Sequence, residues 1–330
     1  MSEPLDRTEC PAVRIRVPAS SANLGPGFDS VGLALGVWDD YDVVFERESC
    51  SATELSATRV QIEVTGEGAG QVPLDETHLV YTSMAYAWRR LGCPPPAGVR
   101  LVARNGVPHG RGLGSSASAI VAGVVAAQAY SQSQAWSAAA SGDPVDVDLT
   151  VATDLATELE GHPDNASASV YGGLTISWTE DGRTHTAAVT LHPDLTAVVL
   201  LPTAQLPTSQ ARAVLPATVP HADAARDAGR AALLVEAMTR RPDLLLPATR
   251  DWLHQDYRRG SLGPSMTVVD ALRASGHAAV ISGAGPSVLV LTTRDRVAQV
   301  DLPAEAGDAG AWQRLAPGIP VGAGVSVTVR

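Results

Sequence analysis

The sequence contains no lysine; all 24 basic residues are arginine. That absence removes the P-loop GxxxxGK[ST], the strand lysine of protein kinases and every Schiff-base mechanism, since each needs a lysine ammonium group. An alanine-rich chain without lysine is also what a biased genome composition produces, and the exclusion holds under either cause. Cysteine is scarce too. Cys10, Cys50 and Cys93 are odd in number and far apart, so they suggest neither a disulfide framework nor a CxxC metal motif, and they suit a reducing cytosol. The formal net charge of −11 argues against nucleic acid or an anionic membrane as partner. A small-molecule substrate is expected instead. The N-terminal "MSEPLDRTECPAVRIRV" lacks the basic and apolar segments of a secretory signal. The small apolar run 117–127 falls far short of the ~20 residues of a membrane span. The expected setting is cytoplasmic.

With 45% apolar residues in a chain of 330, there is enough material for a large core and for two domains. "VRIRV" (13–17), "VQIEV" (60–64) and "VRLVARNGV" (99–107) alternate with period 2, as half-buried strands do. "THLVYTSMAYAWRRLG" (77–92) reads as a helix stopped by Gly92. "SASAIVAGVVAAQAY" (116–130) is small and apolar all round, which predicts a helix packed inside a domain. Beyond the strands "GGLTISW" (172–178) and "TAAVTL" (186–191) the pattern changes. "TAVVLL" (196–201) reads as a buried strand, 222–241 and 264–275 as helices, and "AAVISGAGPSVLVL" (278–291) as a hairpin with glycines at its turn. The domains are therefore placed at 1–192 and 193–330. The Ser/Gln/Ala stretch 131–142 is the candidate mobile loop.

Between the third strand and the buried helix stands "GRGLGSSASAIVAG" (110–123). A strand that runs through a glycine loop into a helix N-terminus points free N–H groups and the positive end of a helix dipole at one spot. Phosphate is the natural occupant, although an isolated glycine loop also reads as a flexible turn with a serine cap. The paired serines at the helix start sharpen the phosphate reading.

"PHGRGLGSSASA" (108–119) resembles the phosphate loop of the GHMP kinases, a family that binds ATP without a P-loop lysine. "VPASSANLGPGFDSVGLAL" (17–35) resembles the N-terminal motif of that family, and "ISGAGPSVLVL" (281–291) its C-terminal glycine-rich motif. Four stretches look like the homoserine-kinase branch: "SSANLGPGFD" (20–29), "ELEGHPDNASASVYGGL" (158–174), "PTSQARAVLP" (207–216) and "LHQDYR" (253–258). The resemblance implies an α+β fold of two domains, the N-terminal half like domain 2 of ribosomal protein S5 and the C-terminal half ferredoxin-like, with ATP in the cleft between them. It implies ATP-dependent phosphorylation of L-homoserine to O-phospho-L-homoserine, the step before threonine synthase, with Mg2+. Two alternatives stay open: a relative acting on another small alcohol, mevalonate-like or sugar, and a non-catalytic nucleotide-binding sensor. A homodimer is compatible with all three.

The resemblance assigns the nucleotide to Pro108, His109, Gly110, Arg111, Gly112, Leu113, Gly114, Ser115, Ser116, Ala117 and Ser118, with His78 and Leu79 at the base. His78 stands where relatives usually carry Asn. Homoserine is a zwitterion with a hydroxyl, so its site needs a cation and acceptors together. Arg212 and Arg258 suit a bidentate grip on the carboxylate. Asn23, Asp29, His162 and Asp164 are candidates for the amine and hydroxyl, and Gly283 for a backbone contact. Taken singly, the arginines read equally well as surface charges and Asp164 as a helix cap. Glu158 and Glu160 lie two apart on a helix and face different ways, so only one should reach a metal. By resemblance that one is Glu158, paired with Ser116, which leaves Glu160 solvated or structural. No general base emerges. Asn165 occupies the catalytic position and cannot usefully accept a proton at neutral pH, so Asn165, Arg212 and Glu158 are expected to act by positioning and charge stabilisation.

Overall fold

Alternation of arginine with valine and isoleucine builds the first strand, β1 (Ala12–Asn23), which buries Val13, Ile15 and Val17 and turns Arg14 and Arg16 outward. In this computed structural model, which describes residues 10–46, 60–133, 140–322 and 324–330, β1 pairs antiparallel with the long β2 (Gly27–Glu46). β3 (Val60–Gly66) and β4 (Gly98–Asn105) are parallel neighbours, a pairing that requires a crossover. The crossover contains α1 (Leu79–Leu91), which ends where Gly92 takes up a left-handed φ of 65°.

α2 (Ser115–Ser131) is buried on nearly every side, as its small apolar composition predicts. The small residues let α1 come close: a Cβ on Gly123 would lie 2.3 Å from the carbonyl oxygen of Val80. α3 (Leu149–Glu160) and α4 (Asp164–Tyr171) follow. The hairpin of β5 (Leu174–Glu180) and β6 (Arg183–Val189) then extends the sheet from β2. Residues 134–139 of the expected mobile loop lie outside the described residues.

The second half is built on β7 (Leu195–Pro202), buried along its whole length. After it come α5 (Thr208–Ala213), α6 (His221–Thr239), α7 (Leu245–Ala248) and α8 (Gly263–Ala274). β8 (Ala278–Ile281), β9 (Val288–Thr293) and β10 (Trp312–Leu315) complete an antiparallel sheet of order β10-β7-β9-β8. The last strand, β11 (Ser326–Val329), does not stay with it. It returns to the first sheet and pairs antiparallel with β1, Val329 opposite Val13. A second domain running from 193 to 330 therefore gives up its final strand, because Val327 finds its apolar cover in the first core.

Two of the apolar clusters matter for the site. One lies between the first sheet and helices α1 to α4. The other joins Ala19, Leu24, Leu33 and Leu35 of the first half to Leu195, Val199, Leu234 and Met238 of the second, so the walls of the intervening cleft share a core. Among the described residues, no helix is long and apolar enough to cross a membrane.

Candidate active site

A cavity of about 180 Å3 opens between the two halves. One wall is the loop from β4 into α2, where Gly110, Gly112, Gly114, Ser115 and Ser116 face the cavity. Gly114 caps α2 with a left-handed φ of 70° and supplies no side-chain cap. A Cβ there would fall 2.2 Å from Ser20 Oγ and 3.1 Å from Asn165 Oδ1, so glycine is required on both conformational and steric grounds. The positive end of α2 is thus turned toward the cavity, as anion binding needs.

Behind the loop lies Asp39, only 1% exposed. Its carboxylate accepts the N–H groups of Gly106 and Val107, both at 2.9 Å, the Ser118 hydroxyl at 2.7 Å and the Tyr41 hydroxyl at 3.2 Å. Burial raises its pKa even against these four donors. Asp39 thereby fixes where β4 ends and α2 begins.

The opposite wall carries the turn between β1 and β2. Asn23, Leu24 and Asp29 all have positive φ, at 71°, 50° and 53°, a concentration of left-handed non-glycine backbone that only a tightly determined site sustains. Asn23 Oδ1 accepts the Asp29 N–H at 3.0 Å, and Asn23 Nδ2 donates to the Gly283 carbonyl at 3.1 Å. Arg212, from α5, donates to both oxygens of Asp29. Burial works against the charged form of Arg212, but Asp29, with Asp164 and Glu160 beside it, outweighs burial and the pKa rises. Arg258 is 2% exposed. It donates to the carbonyls of Ala211 at 2.9 Å and Gly283 at 3.3 Å, and to His254 Nδ1 at 3.2 Å. Among the described residues no carboxylate lies within ion-pair distance of it. The Phe28 ring has the guanidinium carbons of Arg212 and Arg258 each 5.7 Å from its centre.

At the start of α4, His162 Nδ1 lies 2.9 Å from Asp164 Oδ1. Burial lowers the pKa of this histidine, but the bond to Asp164 and its charge prevail and hold it above the ordinary value. Asp164 also accepts the Asn165 N–H at 2.7 Å, and Asn165 Oδ1 accepts from Ser20 Oγ at 3.1 Å.

The family model described as the GHMP kinases N terminal domain matches residues 78–173, and that of the GHMP kinases C terminal region matches 222–301. A homoserine kinase of Streptomyces avermitilis is 47% identical over 92% of this chain and 92% of its own length. Another, from Clavibacter michiganensis, is 46% identical over 84% of this chain and 82% of its own. The chain belongs to the homoserine kinases of the GHMP kinase family. Its fold is theirs too: the crystal structure of homoserine kinase from Cytophaga hutchinsonii superposes with a TM-score of 0.73, at 22% identity, covering 99% of this chain and 96% of that one.

Of the residues that the homoserine-kinase motifs assign to the substrate, the structure brings Asn23, His162, Asp164, Asn165, Arg212, Arg258 and Gly283 to one cavity. Asp29 reaches it through Arg212. The metal expectation requires a correction. Glu158 is turned onto the outer surface, where Tyr86 and Arg90 of α1 both donate to it. Glu160 lines the cavity instead, accepting from Ser116 Oγ at 2.7 Å. The helix turns about 200° over two residues, so only one of the pair can face the cleft, and α1 claims Glu158.

The nucleotide set divides in the same way. Leu113 and Ala117 are packed in the core and the Ser118 hydroxyl is spent on Asp39. Pro108, His109 and Arg111 do not line the cavity, and neither do His78 and Leu79. His78 caps α1, its Nδ1 accepting the Val80 N–H at 3.3 Å. Sequence reasoning passed over Ser20, Thr208 and His254, and left Glu160 as solvated or structural. All four lie inside the motifs quoted for the family, so the motifs located them without telling their roles.

Proposed function

We propose that this cleft transfers the γ-phosphoryl group of ATP to the side-chain hydroxyl of L-homoserine, giving O-phospho-L-homoserine and ADP. The observation that supports it best is the meeting, in one cavity, of an open helix N-terminus with a buried arginine that has no carboxylate partner among the described residues. A cation buried among neutral acceptors is costly until an anion joins it. Arg258, with Arg212, receives the carboxylate of the substrate. Asp29 and Asn23 receive its ammonium group. His162, Asp164 and Asn165 hold the hydroxyl, while backbone N–H groups of the loop 110–116 hold phosphate oxygens.

Ser116 Oγ and Glu160 Oε1, 2.7 Å apart at the cavity, are two hard oxygen donors of the kind Mg2+ prefers. They would hold the ion. When bound, it would offset charge on the phosphates of the nucleotide. No side chain takes the hydroxyl proton at the start of transfer; it passes to the transferred phosphoryl group as the new P–O bond forms, and from there to solvent. Asn165 has no basic site, and Asp164 holds His162 toward its charged form. Catalysis rests on alignment and on the positive charge of Arg212 and the α2 terminus, which suits a loose phosphoryl-transfer transition state. The acidic charge balance supports an enzyme with neither nucleic-acid nor anionic-membrane partner, and the scattered cysteines support a cytoplasmic one.

A coupled ADP-release assay with homoserine, mevalonate and galactose at saturating MgATP tests this reading. Turnover with homoserine alone is expected. Preference for another alcohol, or nucleotide binding with no turnover on any of them, would overturn it.

A further inference from the structure

Arg258 is held from behind by a residue that no step above uses. His254 is fully buried, in the turn-rich segment after Asp251. The Asp251 carboxylate organises that segment by accepting the N–H groups of Leu253 at 2.7 Å, His254 at 3.1 Å and Gln255 at 2.8 Å. Gln255 then accepts the Ile281 N–H at 2.7 Å. Segment 251–258 is therefore fastened to β8 before His254 makes any contact with the cleft.

The two ring nitrogens of His254 face partners of opposite kind. Nε2 lies 2.8 Å from the Gly25 carbonyl oxygen, which can only accept. Nδ1 lies 3.2 Å from Arg258 Nη1, which can only donate. One protonation state satisfies both: the neutral ring with its hydrogen on Nε2. Charged groups around the ring act in both directions. Burial first, and then the charge of Arg258, push its pKa below the ordinary value, against Asp251 and Asp29. Phe28 stacks on the ring with centroids 5.2 Å apart, which leaves it little freedom to turn.

We propose that His254 is a positioning residue for substrate recognition: as the neutral Nε2–H tautomer it ties the Arg258 guanidinium to the Gly25 turn, whose strand ends carry Asn23 and Asp29. Cation and carboxylate are thereby held at a set separation, matched to the two charged ends of one amino acid. The inference rests on the reading that Arg258 receives the substrate carboxylate. His254 itself touches neither substrate nor reacting atoms.

The test compares His254→Leu, His254→Gln and Arg258→Met. Glutamine places an acceptor and a donor at similar spacing, while leucine keeps bulk and loses both bonds. His254→Leu is expected to raise KM for homoserine about 10- to 100-fold, the range for losing a hydrogen bond to a charged group. KM for ATP should stay within about twofold, and kcat should fall by less than KM rises. His254→Gln should recover most of the loss, and His254→Leu should add little in an Arg258→Met background. An Arg258→Met variant with unchanged homoserine KM would sink the carboxylate reading underneath. A raised KM in Arg258→Met but not in His254→Leu would overturn the positioning role alone. If the leucine variant does not fold, nitrogen-15 NMR of the unaltered enzyme at pH 7 decides: an Nδ1–H tautomer or an imidazolium at His254 overturns the proposal, and the Nε2–H tautomer upholds it.

Discussion

Arg212 donates two hydrogen bonds to Asp29, Nη2 to Oδ1 at 2.6 Å and Nη1 to Oδ2 at 3.2 Å. The pair bridges the cleft, since Arg212 belongs to the second half of the chain and Asp29 to the first. Both side chains are about one-third exposed, at 37% and 35%, so the pair adds only about 0–1 kcal/mol of stability. On the proposed function, a zwitterion entering the cavity exchanges with it, giving Arg212 a new carboxylate and Asp29 a new ammonium group.

Asp29→Asn separates these two roles. Asparagine tolerates the left-handed backbone at this position, and losing an exposed pair should move Tm by no more than about 2 °C. KM for homoserine should rise about tenfold or more. Steady-state kinetics beside a melting curve checks both, and an unchanged KM would remove Asp29 from the ammonium site.

The two glutamates at the end of α3 should behave oppositely. Glu160→Gln is expected to lower kcat by about 10²-fold or more at saturating Mg2+. Glu158→Gln, which alters a surface contact with Tyr86 and Arg90, should stay within about threefold. The reverse pattern would restore Glu158 as the metal ligand.

His162→Asn keeps a hydrogen-bonding side chain at the substrate but cannot carry the proton. The positioning mechanism predicts a higher KM for homoserine and a kcat loss smaller than the 10²–10⁴-fold of general-base catalysis. A loss in or above that range, together with disappearance of the acidic limb of the pH profile, would make His162 the base.

Asp227 is 2% exposed and accepts the Trp252 N–H at 2.9 Å. Burial, with Asp251 nearby, raises its pKa from 3.8 to about 6. The folded state therefore holds the proton more tightly than the unfolded chain, and stability present at low pH is lost as pH rises from near 4 through about 6. The loss is about 3 kcal/mol at the upper end. Asp227→Asn, which keeps an acceptor for Trp252, should raise Tm at pH 8 and change it little at pH 4. Thermal melts at the two pH values decide it; equal shifts at both would show that ionisation is not the cause.

Elements with a local cause were legible from sequence. Alternation marked β1, β3 and β4, and Gly92 marked the end of α1. The glycine-serine loop announced a helix N-terminus, which opens on the cavity. What escaped were relations between distant parts of the chain. That only one of Glu158 and Glu160 faces the cleft follows from helical geometry, but the choice depends on α1, some 70 positions earlier, supplying Tyr86 and Arg90. Asp39 carries no signal in the sequence, because three of its four donors come from the end of β4 and from α2. His254 is legible only once Gly25 and Arg258 are known to lie on either side of its ring. Ser118 and Leu113 sit in the phosphate motif but face inward, a distinction that motif spacing does not contain.

Among the described residues, the pairing of β1 with β11 places the strand made earliest beside the strand made latest. During synthesis β1 can bond to β2 on one side, but its other edge waits for Ser326–Val329. An unpaired edge is a template for wrong partners, and nearly the whole chain must be made while it stays open. Completion of the first sheet thus waits until residues 326–329 have been made. A nascent chain stalled shortly before residue 326 should be more prone to associate with its neighbours than the released protein, although it already holds every residue assigned to the cleft.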